Sequence, residues 1–150
     1  MTEARASAPR SAPAPAVLAL VTEDPLDAVA LEAWVATPAD GALVTFRGVV
    51  RDHDHGEPVR ALDYRAHPEA ERLLRDTCVR VHERTGLRVA AAHRIGALKV
   101  GDVALVAVVA AAHRAEAFEA ASALVDAIKE DVPIWKRQHL AEGTTEWVGL

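Results

Sequence analysis

The pattern of apolar and polar residues along this chain predicts strands and helices in alternation. An apolar run at Ala16–Val21 indicates a first strand. Asp24 then offers an N-cap and Pro25 a first-turn proline, so a helix is predicted to open at this point. Four apolar residues at helical spacing are expected to face the core from that helix: Leu26, Val29, Ala30 and Trp34.

Two strands connected as a hairpin are predicted next. Small and apolar residues alternate with polar ones over Gly41–Arg51, and a second strand-like run covers Val59–Ala66. The segment Asp52–Pro58 between them is polar and contains Gly56, which indicates a turn. The two runs are therefore expected to pair with each other.

A long helix and two further strands follow. Pro68 is expected to begin a helix that ends at Gly86. One stripe of that helix is expected to be buried: Leu73, Leu74, Thr77, Cys78 and Val81. Strands are predicted at Leu87–Ile95 and Val103–Ala112, on either side of the turn Gly96–Asp102. The second of these strands is almost entirely apolar, which predicts a central place in the sheet.

The last helix, Ala115–Lys129, is followed by a short final strand at Trp147 and Val148. Four residues of this helix are expected to face inward: Phe118, Ala121, Val125 and Ile128. The order βαββαββα(β) predicts an α+β two-layer sandwich with a mixed or antiparallel sheet and three main helices. It excludes a doubly wound parallel fold.

Composition limits this fold to one domain over residues 16–150. The chain has 150 residues, 51% of them hydrophobic, which is enough for one core. Met1–Pro15 is mostly Ala, Pro, Ser and Arg, and so a disordered tail is predicted. No apolar run is long enough for a membrane span. The single cysteine, Cys78, fits a reducing cytoplasm and is expected to be a packed core thiol rather than a nucleophile.

Two lysines near the C-terminus are the strongest candidates for chemistry. The net charge of −5 excludes a general nucleic-acid binder, so any anion site must be a local group of cations. Lys129 is expected on the last turn of a helix that Pro133 terminates, with Lys136 on an extended segment that folds back. Two ammonium groups brought together repel unless an anion lies between them or one is deprotonated. The alternative is a pair of solvated surface lysines.

A second group of basic residues is predicted where the last helix begins. His113 and Arg114 add donors to the free N–H groups of a helix N-terminus, although His113 could simply cap that helix. Arg51 ends its strand and is a third basic candidate, with a surface role as its alternative. A compact fold that brought these three residues to Lys129 and Lys136 would suit a phosphorylated or otherwise anionic small substrate.

Other reaction classes have weaker support. The sequence contains no glycine-rich phosphate loop and no serine nucleophile elbow, which argues against ATP use and serine hydrolysis. Asp52, His53, Asp54 and His55 could grip a divalent cation, as a metal-dependent hydrolase would require. Adjacent residues of a turn seldom supply three converging ligands, so a solvated turn is the favoured interpretation.

Five spaced motifs resemble, in the same order, the signatures of the large, catalytic subunit of molybdopterin synthase. The resemblance runs from Gly41 to Val148, essentially the whole folded chain. The motifs are Val44–His53, His93–Gly96, Val100–Asp102, Ala112-His113-Arg114 with Ala117-Phe118, and Pro133–Arg137. Several motifs in a fixed order are far more specific than any one of them.

The resemblance implies a hammerhead-type α+β fold and an enzyme of molybdenum-cofactor biosynthesis. Such enzymes convert cyclic pyranopterin monophosphate to molybdopterin by installing the two sulfurs of a dithiolene. The sulfur comes from the thiocarboxylated Gly-Gly C-terminus of a small ubiquitin-like subunit, so no cofactor or metal is implied. Large subunits of this family form a central homodimer flanked by two small subunits, which together make a heterotetramer.

The resemblance also implies roles for individual residues. Lys129 and Lys136 match the two essential lysines of the family. Arg51, His113 and Arg114 match its substrate-anion contacts. Four flanking residues are implied to complete the substrate-binding set: Val49, Val50, Arg137 and Gln138.

Three residues depart from the family pattern. Arg65 and Gln138 stand where a glutamate is expected, and Ala97 stands in the usual Gly-Glu-Leu turn. Both lysines are retained, which favours an enzyme. The competing interpretation is a non-catalytic homologue that only docks a ubiquitin-like partner.

Overall fold

The structure is a computed structural model that describes residues 15–54, 56–140, 143 and 145–149. The predicted disordered tail lies outside these residues except for Pro15, and so does His55 of the proposed metal segment. None of the described helices is both long enough and apolar enough to cross a membrane.

Three α-helices and nine β-strands make up the described part of the chain. The helices are α1 (Ala28–Val35), α2 (Ala70–Thr85) and α3 (Arg114–Asp131). The strands are β1 (Val17–Thr22), β2 (Ala42–Val49), β3 (His53–Asp54), β4 (Glu57–Ala66), β5 (Arg88–Arg94), β6 (Gly96–Lys99), β7 (Val103–Ala111), β8 (Ile134–Leu140) and β9 (Thr145–Gly149).

The first sheet has the strand order β1-β5-β7-β2 and holds the most apolar strand at its centre. β1 runs parallel to β5, whereas β5, β7 and β2 are antiparallel neighbours. Successive side chains of β7 point to opposite faces, so Ala107 and Val109 enter the core with α2 and α3 while Val106 and Val108 pack with α1. The predicted central position of this strand is confirmed, because helices cover both of its faces.

The second sheet has the order β3-β4-β8-β9, and β6 also pairs with β4. All of these pairs are antiparallel. The predicted hairpin between Gly41–Arg51 and Val59–Ala66 is wrong, because β2 pairs with β7 and β4 pairs with β8. A bulge between Gly48 and Val49 lies at the end of the β2–β7 ladder, and the chain then passes to the second sheet.

The prediction of an α+β fold with a mixed sheet and three main helices is confirmed, but two helix faces differ from the expected pattern. α1 begins after Asp27, whose Oδ1 accepts the Ala30 N–H at 3.0 Å, rather than after Asp24. Val29 and Ala30, both predicted to face the core, are therefore exposed, and Val29 is 67% exposed. Phe118 of α3 is 62% exposed, because the smaller alanines beside it face the core instead.

The helix predicted to end at Gly86 is α2. Gly86 adopts a positive φ of 75° at its C-cap, a conformation that glycine accepts without steric cost. Four of the five residues predicted for its buried stripe are buried, namely Leu74, Thr77, Cys78 and Val81, whereas Leu73 is half-buried. Burial raises the pKa of the Cys78 thiol to about 12, so the interpretation of this cysteine as a packed core thiol is confirmed.

Arg88, at the start of β5, joins α1 to the first sheet. Its Nε donates to the Val35 carbonyl at 3.0 Å and its Nη2 to the Trp34 carbonyl at 2.7 Å, at the end of α1 where carbonyls lack intrahelical partners. Its Nη1 donates to the Pro15 carbonyl at 2.6 Å, and its Cζ lies 4.4 Å from the centroid of the Trp34 ring. One side chain thus caps a helix and holds the first described residue against the sheet.

Replacing Arg88 by alanine is expected to lower the free energy of unfolding by about 2–3 kcal/mol, because three carbonyl contacts and a cation–π contact are lost together. Urea unfolding followed by circular dichroism measures the change. Arg60→Ala, on the exposed side of β4, is the matched control and should shift stability by less than about 0.5 kcal/mol. Equal losses in the two variants would contradict the capping role of Arg88.

Candidate active site

The C-terminal end of α3 brings Lys129 to the junction of the two sheets. Pro133 cannot continue the helix because it lacks a backbone N–H, and the Val132 N–H closes the last turn on the Ile128 carbonyl at 3.0 Å. The Pro133 carbonyl accepts the His67 N–H at 3.1 Å, so β8 begins beside β4. Lys129 lies in the last turn of the helix, where the negative end of the helix dipole favours its ammonium.

β8 turns Lys136 and Gln138 toward the same place. The strand register pairs Lys136 with Tyr64 and Gln138 with Leu62 of β4. Alternate residues of a strand share a face, so these two side chains both point inward, and Gln138 is only 1% exposed. The predicted extended segment that folds back after the helix is confirmed as a strand, and both lysines line one cavity.

The bulge at the end of β2 delivers Arg51 to the mouth of this cavity. The Val50 N–H donates to the Asp102 carbonyl at 2.9 Å, and the Gly101 N–H donates to the Val50 carbonyl at 2.7 Å. These bonds fix the chain directly after the bulge and bury the Val50 side chain. The Arg51 side chain stays 66% exposed, and its Nη2 donates to Asp54 Oδ1 at 3.1 Å. This contact orients the guanidinium at the opening.

These elements enclose a cavity of about 230 Å³. Its apolar lining comes from Phe46, Gly48, Val49, Val50, Leu62, Ala104 and Leu105. Its polar lining comes from Arg51, His53, Asp54, Tyr64, His93, Lys129, Lys136 and Gln138. Six of the nine predicted site residues therefore meet here: Val49, Val50, Arg51, Lys129, Lys136 and Gln138.

The charges in this cavity favour an anion. The chain contains fourteen arginines but three lysines, and two of those three lysines line the cavity. Lysine differs from arginine because its amine can lose a proton inside a folded protein. Arg51 adds a third cation, and Asp54, the carboxylate among the described lining residues, is paired with it. A lining of this kind can bind a negatively charged molecule and place a lysine amine beside it.

Two buried aromatic residues, His93 and Tyr64, complete the lining. Their ring centroids are 5.0 Å apart and their planes are inclined by 67°, an edge-on contact. His93 Nδ1 lies 2.8 Å from the Arg94 carbonyl oxygen. Burial is the main cause that lowers the pKa of His93 to about 4, and the nearby charge of Lys129 lowers it further. Burial raises the pKa of Tyr64 to about 12, so both residues are neutral at pH 7.

His113 and Arg114 are not brought to the cavity within one chain. Both are exposed at the N-terminus of α3, where His113 is the N-cap residue but makes no side-chain capping bond. Arg114 precedes Lys129 by fifteen residues, which separates the two by about 22 Å along the helix axis. We expected one compact chain to bring five basic residues together, and this expectation is wrong for His113 and Arg114. The helix α3 holds both of them away from the lysines.

Arg137 and Trp135 face away from the cavity. They alternate with Lys136 along β8 and therefore lie on the outer face of the second sheet. Arg137 Nη2 lies 3.4 Å from Asp63 Oδ2, and its Cζ lies 5.5 Å from the centroid of the Trp147 ring. The structure thus separates Arg137 from the other predicted site residues of its strand.

Over its described part, the segment considered for a metal ion is an exposed bend at Asp52 followed by the short strand β3. Asp52 and His53 form an exposed pair at 2.9 Å, and the hydrogen bond from His53 lowers the pKa of the Asp52 carboxyl. Asp54 is buried and contacts Arg51 instead of converging with its neighbours. Within the described ranges, no group of three His, Cys, Asp or Glu side chains is arranged to hold a metal ion.

Sequence reasoning missed His93 and Tyr64 as site residues, although each left a signal. A lone imidazole that directly follows the apolar run Val89–Ala92 is unusual in a buried strand unless the strand leads to a polar site. Tyr64 alternates with polar Asp63, which places it on the inner face of its strand. Neither signal predicts that β4, which carries Tyr64, and β5, which carries His93, meet at the end of α3, because that contact depends on the tertiary structure.

Comparison with known sequences reveals clear relatives. A family model described as "MoaE protein" matches residues 21–131. The molybdopterin synthase catalytic subunit 1 of Mycobacterium tuberculosis is 43% identical over 131 residues, which cover 86% of this chain and 88% of that protein. The molybdopterin synthase catalytic subunit of Halalkalibacterium halodurans is 43% identical over 117 residues, which cover 77% of this chain and 74% of that protein.

Solved structures agree with this relationship. The crystal structure of molybdopterin synthase from Staphylococcus aureus matches with a TM-score of 0.80 and 32% identity, over 89% of this chain and 97% of that chain. A complex of subunits 1 and 2 of molybdopterin-converting factor from Helicobacter pylori matches with a TM-score of 0.62 over 90% of each chain. At 17% identity, the second match shows likeness of fold alone.

The buried neutral His93 is expected to make the fold sensitive to acid. The folded-state pKa of about 4 lies below the usual 6.5, so the unfolded chain binds more protons between these values and stability falls as the pH drops from 6.5 toward 4. The full loss from this group is about 3 kcal/mol. Urea unfolding at pH 7 and pH 4.5 measures it, and His93→Gln should show a shallower loss. Identical losses in the two proteins would contradict a buried neutral imidazole.

Proposed function

This chain belongs to the MoaE family of molybdopterin synthase catalytic subunits, and we propose that its cavity is where sulfur is transferred to cyclic pyranopterin monophosphate. The family and the sulfurtransferase activity, both expected from the sequence motifs, are confirmed by the named relatives. The observation that carries the assignment of the site is the convergence of Lys129 and Lys136 in one cavity.

The charge of the proposed reactants matches the charge of the cavity. The substrate carries a phosphate and the sulfur donor is a thiocarboxylate, so both are anions at neutral pH. Lys129, Lys136 and Arg51 supply positive charge from three different elements. The apolar part of the lining, which includes Phe46 and Leu105, keeps the local dielectric low and strengthens these attractions. A charge-assisted contact of this kind holds an anion without a metal ion.

Lys136 is the better positioned of the two amines. It lies in the middle strand of three, paired with Tyr64 on one side and Val148 on the other, so its backbone is held from both directions. Lys129 enters from the end of α3. We assign acid–base work, or a transient adduct with a carbonyl carbon, to Lys136, and stabilisation of developing negative charge to Lys129.

Each transfer forms one carbon–sulfur bond and breaks another. The thiocarboxylate sulfur bonds to a side-chain carbon of the pterin while a carbon–oxygen bond at that carbon breaks, and the oxygen leaves with the phosphate as its ring opens in one transfer and as water in the other. Water then cleaves the bond between the transferred sulfur and the carbonyl carbon of the donor. The donor leaves as a carboxylate, and two such transfers produce the dithiolene. The negative charge that develops in each step lies beside the two lysines in this proposal.

Three uncharged residues complete the binding surface contributed by this chain. Val49 and Val50 line the cavity next to the bulge of β2, and Gln138 lies on the β8 face that also carries Lys136. Gln138 supplies a neutral amide where the family carries a glutamate. The amide can hydrogen-bond the substrate without cancelling the positive charge of the cavity. Arg137 has no part in this surface, because it faces the opposite side of the sheet.

A small ubiquitin-like subunit is the proposed sulfur donor. The Helicobacter pylori structure is described as a complex of the two subunits of molybdopterin-converting factor, and we extend that arrangement to this chain. Val49 is 52% exposed and Arg51 is also largely exposed at the mouth of the cavity, where the C-terminal Gly-Gly tail would enter. We place the assembled enzyme in the cytoplasm, a setting compatible with the unpaired Cys78.

A second copy of the chain completes the substrate site in this proposal. His113 and Arg114 lie about 22 Å from the lysine on their own helix, so they can reach a cavity only from another copy. Phe118 follows Arg114 by four residues on the same face of α3 and is 62% exposed, which offers apolar surface for such a contact. We therefore propose a homodimer core, flanked by two small subunits in a heterotetramer.

Lys136→Ala is expected to reduce sulfur transfer by about a thousandfold or more, and Lys129→Ala by about a hundredfold, because each removes an amine from the reacting centre. Lys136→Arg should not restore activity, since a guanidinium stays protonated. The measurement is the dithiolene product formed in a single turnover from the cyclic pterin and the thiocarboxylated small subunit. Lys99→Ala, which changes the third lysine at an exposed position on β6, is the matched control.

Folding and partner binding are checked in parallel, by thermal unfolding and by co-elution with the small subunit. Wild-type rates from both alanine variants would overturn the proposed function and favour a module that only docks the small subunit. If Lys136→Arg restored most of the activity, the role of Lys136 would be to supply a fixed positive charge rather than to transfer protons or form an adduct.

Mixing Lys136→Ala with Arg114→Ala tests the second-copy contribution, because the loss of an anion contact is expected to impair Arg114→Ala as well. In a mixed dimer of Lys136→Ala and Arg114→Ala, one cavity keeps both its lysines and receives an intact Arg114 from the other chain. Random assortment should then restore about a quarter of the wild-type activity. The measurement is the rate after the two variants are unfolded and refolded together, compared with each refolded alone. No recovery in the mixture would place Arg114 on the same chain as its cavity or outside catalysis.

A further inference from the structure

Asp54 is an acidic residue in the lining of a cavity that favours anions, and it has no part in the sulfur transfer described above. Its side chain is 8% exposed, whereas that of Asp52, two residues earlier, is 77% exposed. A buried negative charge is costly, and beside a phosphate site it also repels the ligand. The position of Asp54 therefore requires a compensating benefit.

The backbone that carries Asp54 is held by strand pairing. β3 pairs with the start of β4, where Asp54 lies opposite Glu57. The Asp52 carbonyl accepts the Val59 N–H at 2.8 Å directly before this pair. The Asp54 side chain is short, so a fixed backbone and burial leave its carboxylate little freedom. It is a fixed acceptor at the edge of the cavity.

Arg51 is the residue that this acceptor contacts at the mouth of the cavity. The Arg51 side chain is 66% exposed, and a long exposed side chain loses rotamer freedom when it binds a ligand. Arg51 Nη2 donates to Asp54 Oδ1 at 3.1 Å. Within the described part of the chain, Nη2 is the nitrogen that this bond engages, so Nε and Nη1 keep donors for a ligand.

We propose that Asp54 is a positioning residue that holds the Arg51 guanidinium at the cavity, so that Arg51 presents its remaining donors to the phosphate of the substrate. The identity of the anion rests on the proposed function, whereas the hold of Asp54 on Arg51 does not. Asp54 has two opposing effects on a bound anion. Its charge repels the anion, and its hold on Arg51 reduces the entropy that Arg51 loses on binding. The second effect is larger while the adjacent guanidinium screens the carboxylate.

The effect of removing Asp54 is therefore expected to change sign with Arg51. When Arg51 is present, Asp54→Ala frees the guanidinium and should weaken binding of the cyclic pterin about fivefold. In an Arg51→Ala background the carboxylate keeps only its repulsion, so Asp54→Ala should strengthen binding about threefold. A carboxylate that acted by charge alone would strengthen binding in both backgrounds when removed. One that only supported the fold would weaken binding in both.

Calorimetric titration with cyclic pyranopterin monophosphate, without the small subunit, measures these effects. The wild type, the two single variants and the double variant form a double-mutant cycle, which isolates the coupling between the two side chains. Thermal unfolding shows that each variant is folded before it is titrated. A change of the same sign in both backgrounds would overturn the proposal.

Two further variants serve as controls. Asp52→Ala removes the same charge from an exposed position of the same segment, where Asp52 pairs with His53 at 2.9 Å, and should change the dissociation constant less than about twofold. Asp54→Asn keeps an acceptor for Arg51 and removes the charge, so it should bind the cyclic pterin within about twofold of wild type. Weaker binding by Asp54→Asn than by Asp54→Ala would contradict the role of Asp54 as an acceptor.

A measurement without substrate tests the hold on Arg51 directly. Each protein is treated with phenylglyoxal, which modifies guanidinium groups, and mass spectrometry gives the labelling rate of Arg51 relative to exposed Arg60 of β4. Asp54→Ala is expected to raise this ratio about threefold, because the guanidinium is no longer held by a charge-assisted hydrogen bond, while Asp52→Ala leaves it unchanged. Equal ratios in wild type and Asp54→Ala would overturn the proposal.

Turnover of the complete enzyme with its small subunit separates binding from chemistry. Asp54→Ala is expected to raise KM about fivefold with kcat changed less than about twofold, because the positioning acts on the bound anion. A loss confined to kcat would contradict the assigned role. If wild type neither bound the cyclic pterin nor transferred sulfur, the proposed function would fail, while the labelling ratios would still decide whether Asp54 holds Arg51.

Discussion

The geometry of the site depends on where α3 ends. Pro133 cannot extend the helix, and its carbonyl accepts the His67 N–H, so the chain reverses and β8 pairs along β4. That reversal brings Lys136 back to the end of the helix that carries Lys129. The reversal also places β8 where β9 can pair with it. Both the second sheet and the cavity therefore depend on the reversal of the chain at Pro133.

An acidic protein holds a cationic site because the cations are concentrated, not because they are numerous. The chain has a net charge of −5, yet the cavity lining contains Lys129, Lys136 and Arg51 against the single described carboxylate of Asp54. Lys129 comes from the last turn of α3, Arg51 follows the end of β2, and Lys136 lies within β8. The buried polar residues His93 and Gln138 of the same lining are neutral. Repulsion between the amines is relieved when an anion binds, so the site is electrostatically prepared for its substrate.

Much of the fold could be predicted because it follows from local patterns. The apolar run of β7 and the stripe of α2 required burial on known faces, and both predictions hold. The predicted hairpin between β2 and β4 is wrong because strand pairing does not follow from local patterns. Strand pairing depends on which distant segment supplies the complementary edge. Here β2 pairs with β7 over eight residue pairs. Proximity in sequence is a weak guide where a bulge redirects the chain.

The sequence by itself determined which residues are candidates for the chemistry, because the lysines flank a helix-terminating proline and the motifs keep a family order. Only the tertiary structure decided which of them share a cavity. Strand alternation turns Arg137 away from Lys136, and the length of α3 holds Arg114 far from Lys129. It also brought in His93, whose neutrality depends on burial among residues distant in sequence. Local patterns fix identity and secondary structure, whereas position relative to a substrate depends on how whole elements pack.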